Sequence, residues 1–312
     1  MQQSIWKRLV WLTLLGAAPL AGAALAAAQA QPSTPSAGVT PAQLAALVFP
    51  GWRDNPAGRV ENVTLPRMPG TSRNAGHGAW NAGANRVLVE PKLVLRIDAT
   101  HLTLIAGLVP SQEGSQPAVD HTTPMALAAY QFEQRGGSWA PVGRQGVFAL
   151  RGFFGEASVR AVPLATQRQA LAVEYGSCWG GYCGTWMALY ELDKGVVRQE
   201  PVVETTLSGI NVNAATDCGR RLQALVKLPP QDTAIHEENI APDTHDCYAI
   251  ESSWSIDATR AQPGDLLIHY KGAISRADAH AAPPSPIDQR QVLRYGSGKY
   301  RAVSGFNPVP PI

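Results

Sequence analysis

The sequence carries little charge, and the two signs balance. Asp, Glu, Lys and Arg make up 16% of the 312 residues, with 26 basic and 24 acidic side chains. Two of the basic residues, Lys7 and Arg8, lie in the first thirty positions, which leaves 24 of each sign in the rest of the chain. Nucleic-acid binding depends on neutralising phosphates, so this balance argues against a nucleic-acid partner. The absence of a polybasic run argues against adhesion to anionic lipid.

The chain also lacks the short signatures of common catalytic and nucleotide-binding sites. It contains no Gly-x-Ser-x-Gly elbow, no Walker A loop and no Gly-x-Gly-x-x-Gly fingerprint. No cofactor is expected. The paired carboxylates of a glycoside hydrolase meet only in the folded protein. Glu156, Glu174 and Glu191 are therefore candidates that the sequence alone does not rank.

The first thirty residues have the layout of a secretory signal peptide. Lys7 and Arg8 precede an apolar run from Leu9 to Leu15, and Ala28-Gln29-Ala30 is a small-x-small cleavage site. The run is too short and too rich in small residues for a membrane-spanning helix. We therefore expect a periplasmic or secreted protein with no stable membrane insertion once the leader, residues 1–30, is removed.

Four cysteines follow the leader, and an even number in an exported protein predicts disulfides. Of the three connectivities, we favour Cys178 with Cys183 and Cys218 with Cys247. The first pair brackets a short glycine-rich segment, and the second closes a loop of about 30 residues. Four-cysteine zinc binding is disfavoured because the chain has no Cys-x-x-Cys pair.

The stretch Gly176-Ser177-Cys178-Trp179 resembles the sequence around the nucleophile of papain-like cysteine proteases, over these four residues only. The resemblance implies a thiolate that is activated by a distant histidine. In that family the cysteine begins a helix, whereas the sequence WGGYCG here is too rich in glycine to begin a stable one. A disulfide between Cys178 and Cys183 is the preferred interpretation.

Residues 31–50 are predicted to hold a Pro/Ser-rich flexible segment and then a short helix from Pro41 to Val48. Thr40 and Gln43 form a capping box, and Pro41 suits the first helical position. Pro50 and the glycine after it stop the helix.

Residues 51–312 are predicted to form one β domain, because 29 glycines and 25 prolines in the chain fit many short strands better than long helices. We expect an all-β, mostly antiparallel fold with propeller-like repeated units, with a β-sandwich as the alternative. Strands are predicted near Val60–Leu65 and at 93–98, 102–106, Ala126–Glu133, Leu171–Tyr175, Met187–Leu192, Tyr248–Ser252, Leu266–Tyr270 and Val292–Tyr295.

The repeat hypothesis rests on the sequence Ile-Asp-Ala-Thr, which occurs at 97–100 and again at 256–259. After each copy come a strand, a variable loop and a hairpin, and a divergent third unit lies between them. The predicted hairpin turns are Gly136-Gly137, Lys194-Gly195 and Gly296-Ser297-Gly298. The variable loops, Pro110–Pro124, Ser177–Thr185 and Ser275–Asp288, are expected at one side of the fold.

Aromatic residues around the shorter disulfide suggest a contact surface. Trp179, Tyr182 and Trp186 are the predicted binding residues, since aromatic side chains on a stapled loop suit contact with a glycan or an envelope protein. The same residues could instead cover the end of a β core.

A second cluster of potential ligands lies in the segment between Cys218 and Cys247. His236, Glu237, Asp243 and His245 are weak candidates for a metal site, because their spacing fits no known motif and a solvated acidic loop is the simpler interpretation. The sequence therefore predicts an exported, soluble cell-envelope protein with a binding or accessory role. The alternative is a hydrolase that acts on an envelope polymer through carboxylates or a loop-bound metal.

Overall fold

The computed structural model describes residues 38–49, 52, 60–64, 80, 84–112, 116–179, 182–212, 218–228, 246–277 and 282–311. The predicted leader and its cleavage site lie outside these residues. The candidate metal ligands His236, Glu237, Asp243 and His245 lie outside them as well. No described helix is both long enough and apolar enough to cross a membrane.

Antiparallel strands dominate the described residues, which confirms the predicted all-β class. In chain order the elements are α1 (Pro41–Val48), β1 (Val60–Thr64), β2 (Ala84–Arg96), β3 (His101–Pro110), β4 (Met125–Arg135), β5 (Ser138–Arg151), β6 (Ser158–Ala165), β7 (Arg168–Trp179), β8 (Tyr182–Asp193), β9 (Val196–Val197), β10 (Val203–Asn211), α2 (Cys218–Leu222), β11 (Cys247–Ile256), β12 (Leu266–Ser275), β13 (Ser285–Gly296) and β14 (Lys299–Ser304).

Helix α1 has the predicted bounds and the predicted cap. The Thr40 hydroxyl accepts a hydrogen bond from the Gln43 backbone N–H, and the Gln43 side chain accepts one from the Thr40 backbone N–H. Both bonds satisfy N–H groups that have no partner within the helix. Leu44 and Ala45 are buried, so the helix covers the outer face of the first sheet.

The strands form two sheets. The first contains β1 to β5 in chain order, and the second runs β14-β13-β12-β11-β10-β8-β7-β6, with β9 paired to β8. This arrangement matches the sandwich alternative. The propeller-like arrangement is not confirmed, because β6 to β14 belong to one continuous sheet rather than to separate blades.

The second sheet bends between β10 and β11, where pairing is limited to three residue pairs, Gly209–Asn211 with Tyr248–Ile250. Beyond the bend, β11–β14 cover the inner face of β6–β10. The Gly264 N–H donates to the Leu164 carbonyl, and the Tyr300 N–H donates to the Val202 carbonyl. Strands β7 and β8 therefore lie between two layers and are buried on both faces over much of their length.

Three apolar clusters hold these layers together. One lies between α1 and the first sheet, a second between the first sheet and the β7–β8 layer, and a third inside the bend of the second sheet. Successive side chains of β7 point to opposite faces of the sheet, which explains why this strand contributes to two of the clusters. Leu171 and Val173 face the first sheet, while Ala170 and Ala172 face the inside of the bend.

The connections of the strands lie at two opposite ends of these layers. At one end, the Gly155 N–H donates to the Thr123 carbonyl, which joins the β5–β6 connection to the β3–β4 connection. At the other end, the Thr103 hydroxyl donates to the Gly195 carbonyl of the β8–β9 turn. Strand directions then place the described parts of all three predicted variable loops at the first end. We call this first end the loop end.

The two Ile-Asp-Ala-Thr segments occupy comparable positions at the opposite end. Each connects the first two strands of a four-stranded meander, β2–β5 in one case and β11–β14 in the other. Asp98 accepts hydrogen bonds from the N–H and hydroxyl of Thr100, and Asp257 accepts the same pair from Thr259. These contacts make both segments Asx turns.

Candidate binding surface at the loop end

The β7–β8 hairpin presents aromatic side chains where it extends toward the loop end. Val173 pairs with Ala188, and both are buried against the first sheet. The next pair on the same face is Tyr175 with Trp186, and both of these side chains are only half-buried. The apolar face of the hairpin therefore continues beyond the core as an aromatic surface.

Phe153, from the connection between β5 and β6, completes an aromatic group with Tyr175 and Trp186. The Tyr175 and Trp186 rings are stacked, with centroids 5.9 Å apart and planes at 20°. The Phe153 ring lies 6.2 Å from Tyr175 and 5.5 Å from Trp186, tilted by 46° to each. Such offset and tilted contacts stabilise ring packing beyond area burial. Phe153 thus anchors the β5–β6 connection to the second sheet.

An ion pair with a phenol lies beside this aromatic group. The Arg151 Nη2 is 3.0 Å from the Glu204 Oε2, and the Tyr175 hydroxyl donates to the Glu204 Oε1 at 2.9 Å. The Arg151 guanidinium carbon lies 5.8 Å from the centroid of the Tyr190 ring. These contacts join β5, β7, β8 and β10, so the group bridges the two sheets.

The two phenols of this group stay protonated over the physiological range. Burial is the main cause that raises the pKa of Tyr175 well above its usual range, and the negative charge of Glu204 adds to it. Burial also raises the pKa of Tyr190 to about 12, although Arg151 acts in the opposite direction. The Tyr175 hydroxyl is therefore a hydrogen-bond donor, and Glu204 has two donors on its carboxylate.

Phe154 lies at the tip of a tight turn in the β5–β6 connection, and its side chain is 47% exposed. The Glu156 N–H donates to the Phe153 carbonyl at 2.9 Å, which closes the turn. The two central residues have positive φ, 54° for Phe154 and 69° for Gly155, as in a type I′ turn. A bulky residue is strained at such φ values, where Asn, Asp or Gly is preferred.

Other turns in the described residues have the same φ pattern without this strain on an apolar side chain. Their central pairs are Gly136-Gly137 (56° and 84°), Lys194-Gly195 (49° and 84°) and Ser297-Gly298 (51° and 78°). Each was predicted from the sequence as a hairpin turn. Only the β5–β6 turn places a large apolar residue at the first central position among these four. Strained backbone of this kind concentrates at functional sites.

The structure brings one predicted binding residue into this surface. Trp186 belongs to the aromatic group, and Tyr182 lies four residues away on the same face of β8. Trp179 pairs with Tyr182 at the backbone level, next to the hairpin tip. The hypothesis that Trp179 and Tyr182 contact a ligand stays a prediction.

Both predicted disulfides are confirmed. Cys178 bonds to Cys183, and Cys218 bonds to Cys247, so no cysteine is free. The implication of the protease resemblance, a reactive thiolate at Cys178, is therefore wrong for the oxidised chain. The segment around Cys178 is a strand of a hairpin and not the start of a helix.

The three carboxylates considered as hydrolase candidates lie in separate environments. Glu191 is buried and is held by Arg168, Arg198 and the Tyr295 hydroxyl. Burial acts to raise its pKa, but these hydrogen bonds and charges lower it overall.

The other two carboxylates lie elsewhere. Glu174 accepts hydrogen bonds from Arg160 and from the Trp254 ring N–H, and Glu156 is exposed. Within the described part of the chain, no three His, Cys, Asp or Glu residues are placed to hold a metal ion.

The sequence predictions missed Phe154, Arg151 and Glu204. A local signal existed for the first of these, because Gly152-Phe153-Phe154-Gly155 sets two aromatic residues between two glycines. The pairing of Arg151 with Glu204 spans 53 residues and two sheets, so no local pattern could indicate it. Comparison of this chain with protein-family models, curated proteins and solved structures gives no match, so its surface is interpreted from its own residues.

Proposed function

We propose that this chain is an exported binding protein of the cell envelope and that it contacts its ligand at the loop end. The observation that carries the proposal is Phe154, a large apolar side chain that is exposed from a strained, glycine-bracketed turn. Phe154 is strained in its own turn and leaves nearly half of its surface in solvent, so it contributes less to folding than a buried ring would. An exposed aromatic residue on a rigid turn is suited to contact with a ligand.

The proposal includes two further parts: the protein is exported, and its two four-stranded meanders are copies of one repeat. The two disulfides are typical of proteins that mature in an oxidising compartment. The matching turns at Asp98 and Asp257, each within a four-stranded meander, support a repeated origin of β2–β5 and β11–β14. A repeat of this kind sets comparable loops at one end, and such an end is often the binding face.

Replacing Phe154 by asparagine tests the binding role. Asparagine is favoured at positive φ, and the relief of backbone strain offsets the apolar burial lost with the ring, so Phe154→Asn is expected to leave the free energy of unfolding within about 1 kcal/mol of the parent protein. The same change removes the exposed ring, so sedimentation of the purified protein with the isolated envelope of its source cells should fall severalfold.

The matched controls are Lys194→Asn and Phe306→Ala. Lys194 has a φ of 49° in the β8–β9 turn at the opposite end, and Phe306 is a 62% exposed ring after β14. Both controls should sediment like the parent protein. If Phe154→Asn sediments with the envelope as well as the parent does, the loop end is not the contact surface.

A further inference from the structure

We infer, resting on the binding role proposed above, that the surface at the loop end binds an uncharged glycan. Three features meet there: the aromatic group Phe153, Tyr175 and Trp186, the exposed ring of Phe154, and the ion pair of Arg151 with Glu204. Sites for small polar ligands commonly combine apolar walls with a few placed polar groups.

The charge of the surface favours an uncharged ligand. Arg151 is neutralised by Glu204 at 3.0 Å, so it offers no unpaired cation to a phosphate, sulfate or uronate. Glu204 is the more exposed partner, with 45% of its side chain accessible. An anionic group placed at this ion pair would be repelled by the exposed carboxylate. The equal numbers of acidic and basic residues outside the leader agree with this preference.

The extent of the apolar surface favours a small contact over a protein partner. The rings of the aromatic group are half-buried against one another, which leaves Phe154 as the exposed part. Among the described residues, the other large apolar side chains that are exposed lie outside the β5–β6 connection: Leu47, Val142, Val196, Leu225, Leu267, Val303 and Phe306. A stable protein interface buries about 800 Å² on each partner around an apolar core. The one exposed ring of the β5–β6 connection, with its polar neighbours, suits a sugar unit better.

The hydrogen-bonding groups match a polyhydroxylated ligand. A sugar hydroxyl both donates and accepts, so it can pair with a carboxylate oxygen and with a guanidinium N–H at once. Glu204 supplies the acceptor and Arg151 the donor, three residues before the exposed ring of Phe154, on which the C–H face of a sugar can lie. His121 also lies at this end, with its ring centroid 6.5 Å from that of Phe154.

Affinity electrophoresis in native gels tests the ligand class. The gels contain hydroxyethyl cellulose, mixed-linkage β-glucan or glycol chitin as uncharged polysaccharides, and alginate as the anionic one. We expect at least one uncharged polysaccharide to retard the parent protein, and Phe154→Asn to weaken that retardation about tenfold in Kd. Lys194→Asn and Phe306→Ala should stay within about twofold of the parent protein.

A charge variant gives a second readout. Glu204→Gln removes the carboxylate that neutralises Arg151, so it should increase retardation by alginate relative to the parent protein. The inference is overturned if no uncharged polysaccharide retards the protein, or if Phe154→Asn is retarded equally. If envelope binding still depends on Phe154 in that case, the glycan assignment fails alone. If envelope binding is also independent of Phe154, the proposed function fails with it.

Discussion

Replacing Gly152 by alanine is expected to lower the free energy of unfolding by about 3 kcal/mol, because the turn that displays Phe154 has no room for a side chain there. Gly152 has a φ of 98°, and a Cβ at this position would lie 1.9 Å from the Glu156 backbone oxygen. Relieving this clash would move the turn backbone itself. The variant should therefore lose the proposed envelope binding as well as stability.

Gly136→Ala is the matched control for this prediction. Gly136 also has a positive φ, 56°, but a Cβ there meets nothing within 4 Å. The free energy of unfolding of Gly136→Ala should fall by about 1 kcal/mol, because only the backbone conformation is disfavoured, and binding should be unchanged. Chemical unfolding of both variants measures the difference. Equal losses would show that the β5–β6 turn is not held against its surroundings as the structure describes.

Removing the disulfide between Cys218 and Cys247 is expected to be the second large effect. The bond closes a separation of 29 residues, and the chain-entropy description assigns about 3.6 kcal/mol to a loop of this length. Both cysteines are fully buried beside Leu222, Ala249 and Ala273, so replacement by alanine also removes packing. The double variant should unfold at markedly lower denaturant concentration.

Removing the other disulfide, between Cys178 and Cys183, is expected to cost less stability. It joins directly opposed residues of the β7–β8 hairpin, with a separation of 5 residues, and it is partly exposed. A loop of this length gives about 2 kcal/mol, and the strand pairing already holds the two ends together. Its double alanine variant should therefore lose clearly less stability. The reverse order of the two losses would contradict this account of the disulfides.

Local patterns in the sequence predicted the local structure well. The capping box at Thr40 and Gln43 located the start of α1, and glycine-containing turns located the hairpins. The disulfide pairs followed from compartment and spacing. Strands β7, β8 and β12 were predicted in the right places but too short, because a missed end of each contains a glycine, Gly176, Gly184 or Gly272, which weakens the strand pattern.

Contacts between distant segments could not be predicted in the same way. Strand β10 was missed because Val203–Asn211 is rich in Thr, Ser and Glu and alternates weakly. The pairing of β10 with β11 is limited to three residue pairs, and no local pattern in either segment predicts it. The ion pair at the loop end depends on β10, since Glu204 lies on that strand and Arg151 lies on the first sheet.

The most direct test of the central claim is amide hydrogen exchange on the parent protein with and without the envelope material or polysaccharide that it binds. We expect new protection at residues 152–156 and in β7 and β8 around Tyr175 and Trp186. The turns at the opposite end, around Gly136, Lys194 and Ser297, should exchange as before. Protection confined to that opposite end, with none in the β5–β6 connection, would contradict the account.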